Sequence, residues 1–351
     1  MTVSSTTVSD RTEAELIAII EARLAPPPAW LTLGIGDDAA VMEPARNRLE
    51  IATVDALVEG VHFDRRWTPP DAIGHRALAV NLSDIAAMGA EPRAALLSLA
   101  LPGDLPLDEF TEMTAGFARL AAASRVSLVG GNLTRTPGPM TIDVTVLGTA
   151  KRRQLLPRSG ARPGDEVYVS GTVGAAAAGL AMLKQAALTP SDTRCQTVAA
   201  VQSAGSACID KYLRPTPRLR LGMLLGRNRA ATVCVDLSDG LADAAHQIGR
   251  SSDVGLIVDA DAVPIDAPTR AWFDGQAADP LVAAATGGDD YELLVTVRPR
   301  LRNRLKTVEA QAGTPLTRIG VCTTDRAVVW RRRQAGGTAD EPMPLGYRHF
   351  R

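Results

Sequence analysis

Hydrophobic patterns of strand and helix type alternate along both halves of this 351-residue chain, and a charged, Pro- and Gly-rich stretch, KRRQLLPRSGARPG at 151–164, separates the halves. Such alternation requires sheets covered by helices, which restricts the fold to α/β or α+β domains, and the length suits two domains, 1–150 and 151–351, each with its own core. In the first half, Thr12-Glu13-Ala14-Glu15 forms a capping box, and Leu16, Ile19, Ile20 and Leu24 recur at helical spacing until Pro26-Pro27-Pro28 ends the helix. Strand patterns cover 49–54, 94–101, 126–129 and 140–147, with helices at 70–88 and 107–122. The second half opens with a strand at 165–170 and a small-residue helix from Gly174 to Lys184, followed by helical segments up to Gly226. Strands at 232–235 and 255–259 then flank a helix starting near Asp239, and further strands follow at 291–297, 317–321 and 327–332.

Composition removes several classes of function. With 46% hydrophobic and 22% charged residues the chain is neither disordered nor fibrous. Thirty-eight basic side chains against 39 acidic ones leave a net charge of -1, so no overall basic field exists to hold nucleic acid or an anionic membrane, and an anionic ligand must be bound locally. No apolar run approaches the roughly 18 residues of a membrane span, and the polar stretch Met1 to Arg11 does not read as an export signal. Cys195, Cys208, Cys234 and Cys322 form no CxxC, which argues against a zinc knuckle or a disulfide framework and makes a reducing cytoplasm the expected setting. The four lysines (Lys151, Lys184, Lys211, Lys306) never follow a glycine, so there is no P-loop, and the HRD and DFG signatures of protein kinases are missing too.

The informative pattern is a set of Asp residues expected at strand ends and Gly turns, where a rigid frame holds side chains open to ligand. They are Asp37-Asp38 in GIGDD, Asp55 in ATVDALVEG, Asp84 in NLSD, Asp236 and Asp239 in DLSDG, and Asp289-Asp290 in GGDDYE. Any one of them could simply cap the next helix, and at Asp239 capping and ligation are compatible. Five such carboxylate-bearing turns brought to one cleft would repel one another unless cations were bound, and hard carboxylate oxygens without Cys or clustered His select Mg²⁺ together with substrate phosphates. Gly130-Gly131 after the 126–129 strand, and Gly171 and Gly174 around a helix start, would let phosphates approach backbone N–H groups, or would form tight turns. Arg158 reads as a phosphate contact or a solvated linker residue, and His62 as a phosphate contact or a packing residue beside Phe63.

GIGDDAAV, TVDALVEGVHF, ALAVNLSDIAAMGAEPRAALLSLALP, the Gly130-Gly131 pair, RSGARPGDEVYVSG, DLSDGLADAAHQIG, GGDDYELLVTV and GYRHF together run through nearly the whole chain in one order. In that order they resemble the thiamine-monophosphate kinase family, part of a wider group that includes aminoimidazole-ribonucleotide synthetase, selenophosphate synthetase and a hydrogenase-maturation factor. VDALVEGVHF and GGDDYEL point to the thiamine enzyme within that group. The resemblance implies a two-domain aminoimidazole-ribonucleotide-synthetase-like fold whose N-terminal sheet pairs across a homodimer into a barrel. It implies several Mg²⁺ ions, ATP as co-substrate and thiamine monophosphate as acceptor. It makes Asp38, Asp55, Asp84, Asp236 and Asp239 magnesium ligands, with Thr53 a further contact and Asn132 at a ligand position. Gly131, Asn132, Arg158 and Ser238 would contact ATP; His62, Asp289 and Tyr347 would contact thiamine monophosphate.

Three positions depart from the family pattern. Asn132 stands where Gly-Gly is usually followed by Asp, Val54 where the family reads Ser-Thr-Asp, and Asp289 where Glu is usual. Each bears on metal affinity or on the acceptor rather than on fold. A related enzyme with another acceptor and a silent nucleotide-binding relative are the two competing readings.

Overall fold

The computed structural model describes residues 6–188, 207–334 and 337–347. Cys195, His349 and the end of GYRHF lie outside these residues, as does part of the helical run expected before Gly226. The chain divides into two compact units, one comprising 6–82 with 92–149, the other 83–91, 150–188 and the described residues from 207 onward.

The first unit contains α1 (Glu13–Glu21), the short hairpin pair β1 (Leu31–Leu33) and β2 (Val41–Met42), β3 (Leu49–Val58), α2 (Pro70–Ala87, its last turn counted with the second unit), β4 (Glu91–Pro102), α3 (Leu107–Ser124), β5 (Ser127–Thr136) and β6 (Thr141–Ala150). The Thr12 capping box forms as expected, with the Thr12 hydroxyl accepting from the Glu15 N–H and the Glu15 carboxylate accepting from the Thr12 N–H. β3, β6, β4 and β5 make a four-stranded sheet in that order. β4 and β5 run parallel, with Leu97 opposite Gly131 and Ser98 opposite Asn132.

Gly130-Gly131 is therefore not a turn. The strand continues through it to Thr136, because a side chain at Gly131 would collide with the Leu97 carbonyl of β4, and only glycine lets the two strands pair this closely.

The second unit contains β7 (Glu166–Ser170), α4 (Ala175–Leu188), α5 (Ala207–Leu213), α6 (Leu219–Asn228), β8 (Val233–Asp236), α7 (Leu241–Ser252), β9 (Gly255–Asp259), α8 (Ala267–Gly275), α9 (Pro280–Thr286), β10 (Leu293–Val297), α10 (Arg302–Ala312), β11 (Leu316–Thr323), β12 (Val328–Gln334) and β13 (Gly337–Pro342). Its seven-stranded sheet has the order β13-β12-β9-β11-β7-β10-β8. Leu294 of β10 packs on one face with Leu241, Ala245 and Ile248 of α7. Leu293, Val295 and Val297 turn to the other face and meet Leu221 and Leu225 of α6 and Leu305 and Val308 of α10. Helices on both faces explain why β10 reads as a continuous apolar run rather than an alternating one. The charged stretch before β7 also belongs to this unit, where Ala161 and Leu156 are each buried in an apolar cluster.

Elements without a strong period were not anticipated: the β1–β2 pair, α8, α9, α10 and β13. Two of them do carry local signals, since Asp266 caps α8 and Asp279 caps α9, each followed by proline in the first turn. Among the described residues no helix is long and apolar enough to cross a membrane. The three described cysteines are buried and free, and burial pushes the Cys322 thiol up to about 12.

Candidate active site

In the second unit three separated segments are tied together by backbone hydrogen bonds. DLSDG follows β8, GGDDYE precedes β10, and Gly346-Tyr347 lies near the end of the described chain. The Asp289 N–H donates to the Ser238 carbonyl at 2.8 Å, the Tyr291 N–H to the Leu237 carbonyl at 3.1 Å, and the Tyr347 N–H to the Asp239 carbonyl at 3.3 Å. Gly288 lies against the Ser238 carbonyl where no side chain would fit. Asp236, Ser238, Asp239, Asp289 and Tyr347 thus come together, although the two ends of this set are more than a hundred positions apart in sequence. Asp236 is buried and accepts from the Ser83 hydroxyl at 2.8 Å; Ser238 and Tyr347 are exposed, and Asp239 and Asp289 are half-buried.

The backbone of this loop is strained. Asp289 (φ 70°) and Tyr291 (φ 50°) both occupy the left-handed region, which costs a side-chain-bearing residue roughly 1–2 kcal/mol. The Tyr291 hydroxyl donates to the Asp289 carboxylate at 3.0 Å, so the strained pair also fixes the direction of that carboxylate. Two non-glycine outliers separated by one residue, around one carboxylate, persist only where surrounding contacts over-determine them, as happens at binding sites.

Asp290, between them, serves the fold. Its carboxylate accepts from the N–H groups of Gly174 (2.6 Å) and Ala176 (3.2 Å), capping α4, and burial pushes its carboxyl up to about 7. This corrects two expectations, because Asp290 is not a ligand held open, and the N–H groups at the start of α4 are engaged by it rather than offered to a phosphate. Asp239 does not cap α7 either; the N-cap is Gly240, with no side-chain cap bond.

Two further expectations change. Asp55 sits inside β3 rather than at its end, on the same face as Thr53, because the strand runs four residues further than its pattern indicated. Asp84 lies within α2, not at a turn, half-buried beside Ser83. The first unit's remaining candidates are Asp38, exposed in the loop between β1 and β2; Gly131 and Asn132, exposed on β5; and His62, half-buried just past β3. The Val58 N–H donates to His62 Nδ1 at 3.0 Å, which leaves the proton of the neutral ring on Nε2. Arg158 is exposed in the segment before β7. Among the described residues no three His, Cys, Asp or Glu side chains are gathered into a metal-holding group.

The most consequential residue the sequence reading missed is Glu292, fully buried at the entrance to β10. It accepts from Arg218 through two guanidinium nitrogens, the Nε bond being 2.7 Å, from the Ser170 hydroxyl at 2.6 Å and from Lys211 at 3.4 Å. Its one sequence signal is a carboxylate immediately before the apolar run LLVTV.

The two units correspond to two family models: AIR synthase related protein, N-terminal domain, over residues 36–150, and its C-terminal domain over residues 162–331. Fold and site thus define an AIR-synthase-related protein. Within that class, thiamine-monophosphate kinase of Salmonella typhimurium is 41% identical over 296 residues, covering 83% of this chain and 84% of its own length. The crystal structure of thiamine-monophosphate kinase from Stenotrophomonas maltophilia is 38% identical with a TM-score of 0.77, covering 93% of this chain and 98% of that one. AaThiL complexed with AMPPCP and TMP is 29% identical with a TM-score of 0.72, covering 99% of both chains. This chain belongs to the thiamine-monophosphate kinase family.

Proposed function

We propose that the protein transfers the γ-phosphoryl group of ATP directly, in line, onto the phosphate of thiamine monophosphate, giving thiamine diphosphate and ADP. The observation that carries this reading is the strained GGDDYE loop locked onto DLSDG, since GGDDYEL is one of the two motifs that point to the thiamine enzyme, on a chain whose relative binds AMPPCP and TMP. The chemistry suits the residues. A phosphate monoester has its second pKa near 6, so the acceptor is already an anionic nucleophile at neutral pH and requires no general base. The task is to hold two polyanions in line and neutralise their repulsion, which is positioning and electrostatics.

All-oxygen donors suit Mg²⁺: Asp84, Asp236 and Asp239 of the second unit would ligate it, and so would Asp38, Thr53, Asp55 and Asn132 of the first. Bound Mg²⁺ would supply charge neutralisation at the phosphate oxygens. Gly131, Asn132, Arg158 and Ser238 would contact ATP. His62, carrying its proton on Nε2, would donate to the acceptor phosphate, while Asp289 and Tyr347 would meet the cationic thiamine. Val54 and Leu96, apolar and exposed on the four-stranded sheet, support pairing with a second copy. The buried free thiols support a reducing cytoplasmic setting. Detection of thiamine diphosphate and ADP after mixing the protein with Mg-ATP and thiamine monophosphate tests the reading; ADP release that does not depend on thiamine monophosphate would refute it.

A further inference from the structure

At the opposite end of the second unit's sheet from Asp236 lies an open cavity of about 520 Å³ whose wall contains four arginines, Arg229, Arg298, Arg300 and Arg304, together with Thr232 and Leu301. The register fixes this separation. β8 runs from Val233 to Asp236 and pairs antiparallel with β10, Leu293 facing Asp236 and Thr296 facing Val233. Thr232 therefore marks the far end of β8, roughly 13 Å from Asp236 along the strand, and Arg298 follows the far end of β10. The cavity is thus distinct from the cluster that holds Asp239, Asp289 and Tyr347.

Four guanidinium groups around one cavity repel one another, and among the described residues none of them is ion-paired. This is unlike Arg218, Arg302 and Arg318 of the same unit, which are all paired with buried glutamates. Arg304 reaches only the Asn228 carbonyl, at 3.4 Å. Arg298, which lines the same cavity, is half-buried. Guanidinium forks bind phosphoryl oxygens two at a time, four of them suit more than one phosphoryl group, and Leu301 adds an apolar wall. The volume is that of a small-ligand site. We propose that this cavity binds a small molecule bearing a diphosphate group, without a metal ion and apart from the catalytic site.

The test titrates the full chain with inorganic pyrophosphate by calorimetry in EDTA, where binding that depends on magnesium is silent. One pyrophosphate should bind per chain, at least tenfold tighter than inorganic phosphate and more weakly as sodium chloride rises. Arg300 and Arg304 are exposed, so Arg300→Glu with Arg304→Glu should preserve the melting temperature and basal turnover while weakening pyrophosphate at least tenfold. Asp239→Asn should leave pyrophosphate binding unchanged. The proposal is overturned if the double variant binds pyrophosphate as tightly as the native chain, if Asp239→Asn abolishes that binding, if phosphate binds as tightly as pyrophosphate, or if an oligonucleotide binds and pyrophosphate does not.

Discussion

The Ser83 hydroxyl donates to the Asp236 carboxylate at 2.8 Å, joining the last turn of α2 to the end of β8 across 153 positions of sequence, with both residues buried. The bond aims one oxygen of the Asp236 carboxylate, and Asp84 follows Ser83 on the same helix. Asp236→Asn should lower turnover by orders of magnitude, whereas Ser83→Ala should keep the fold and cost about 0.5–1.5 kcal/mol in stability while raising the Mg²⁺ concentration needed for half activity. Steady-state rates across a magnesium titration measure both; an unshifted curve in Ser83→Ala would remove the positioning role.

His62→Ala and Tyr347→Ala should each raise the KM for thiamine monophosphate more than that for ATP. Stacking of an aromatic ring on a cation at an exposed site is worth about 0.5–1 kcal/mol, so the Tyr347 effect should be a few-fold. Equal increases for both substrates would assign these residues a general structural part.

Asn132 offers a neutral oxygen at a position where the family usually has a carboxylate, on a strand whose partner there is Ser98. Asn132→Asp should move the Mg²⁺ activation curve to lower concentration with little change in the KM for thiamine monophosphate. A native protein inactive even at high Mg²⁺, restored by Asn132→Asp, would mark the chain as a silenced relative.

Glu292 tests the frame beneath the site. Removing it leaves Arg218, whose side chain is 18% exposed, without its counter-charge. Glu292→Ala should therefore cost about 3–5 kcal/mol. Arg218→Ala should cost a similar amount, and the double variant clearly less than the two together, as urea denaturation of all three would reveal. Strict additivity would show that the pair is not coupled.

Asp290 makes stability depend on pH. Its carboxyl titrates near 7 in the fold against an ordinary value of 3.8, so the folded state binds the proton more tightly than the unfolded chain does. The stability this contributes is full below 3.8 and is lost as pH rises through about 7. Asp290→Asn, which can still accept from Gly174, removes that loss, so the melting temperature of the variant relative to the native chain should climb between pH 4 and pH 8. A constant difference across this range would refute the titration.

The chain's local patterns determined a good deal by themselves. The Thr12 capping box and the spacing of Leu16, Ile19 and Ile20 specify α1, and the apolar run at 255–259 matches β9 end to end, because capping and periodicity act over a few residues. The acidic and glycine motifs were likewise legible as short strings. What each member does was decided by tertiary contacts. Asp289 and Asp290 are adjacent and chemically identical, yet one is held in a strained loop against Ser238 and the other is buried as the cap of α4, more than a hundred residues away. Gly131 looked like a turn and is a strand residue because the Leu97 backbone of β4 lies against it. Glu292 draws its partners Arg218, Lys211 and Ser170 from 74 to 122 positions away. Burial and pairing depend on which distant segments the sheet brings alongside, and no rule that operates within one turn of helix or one strand contains that information.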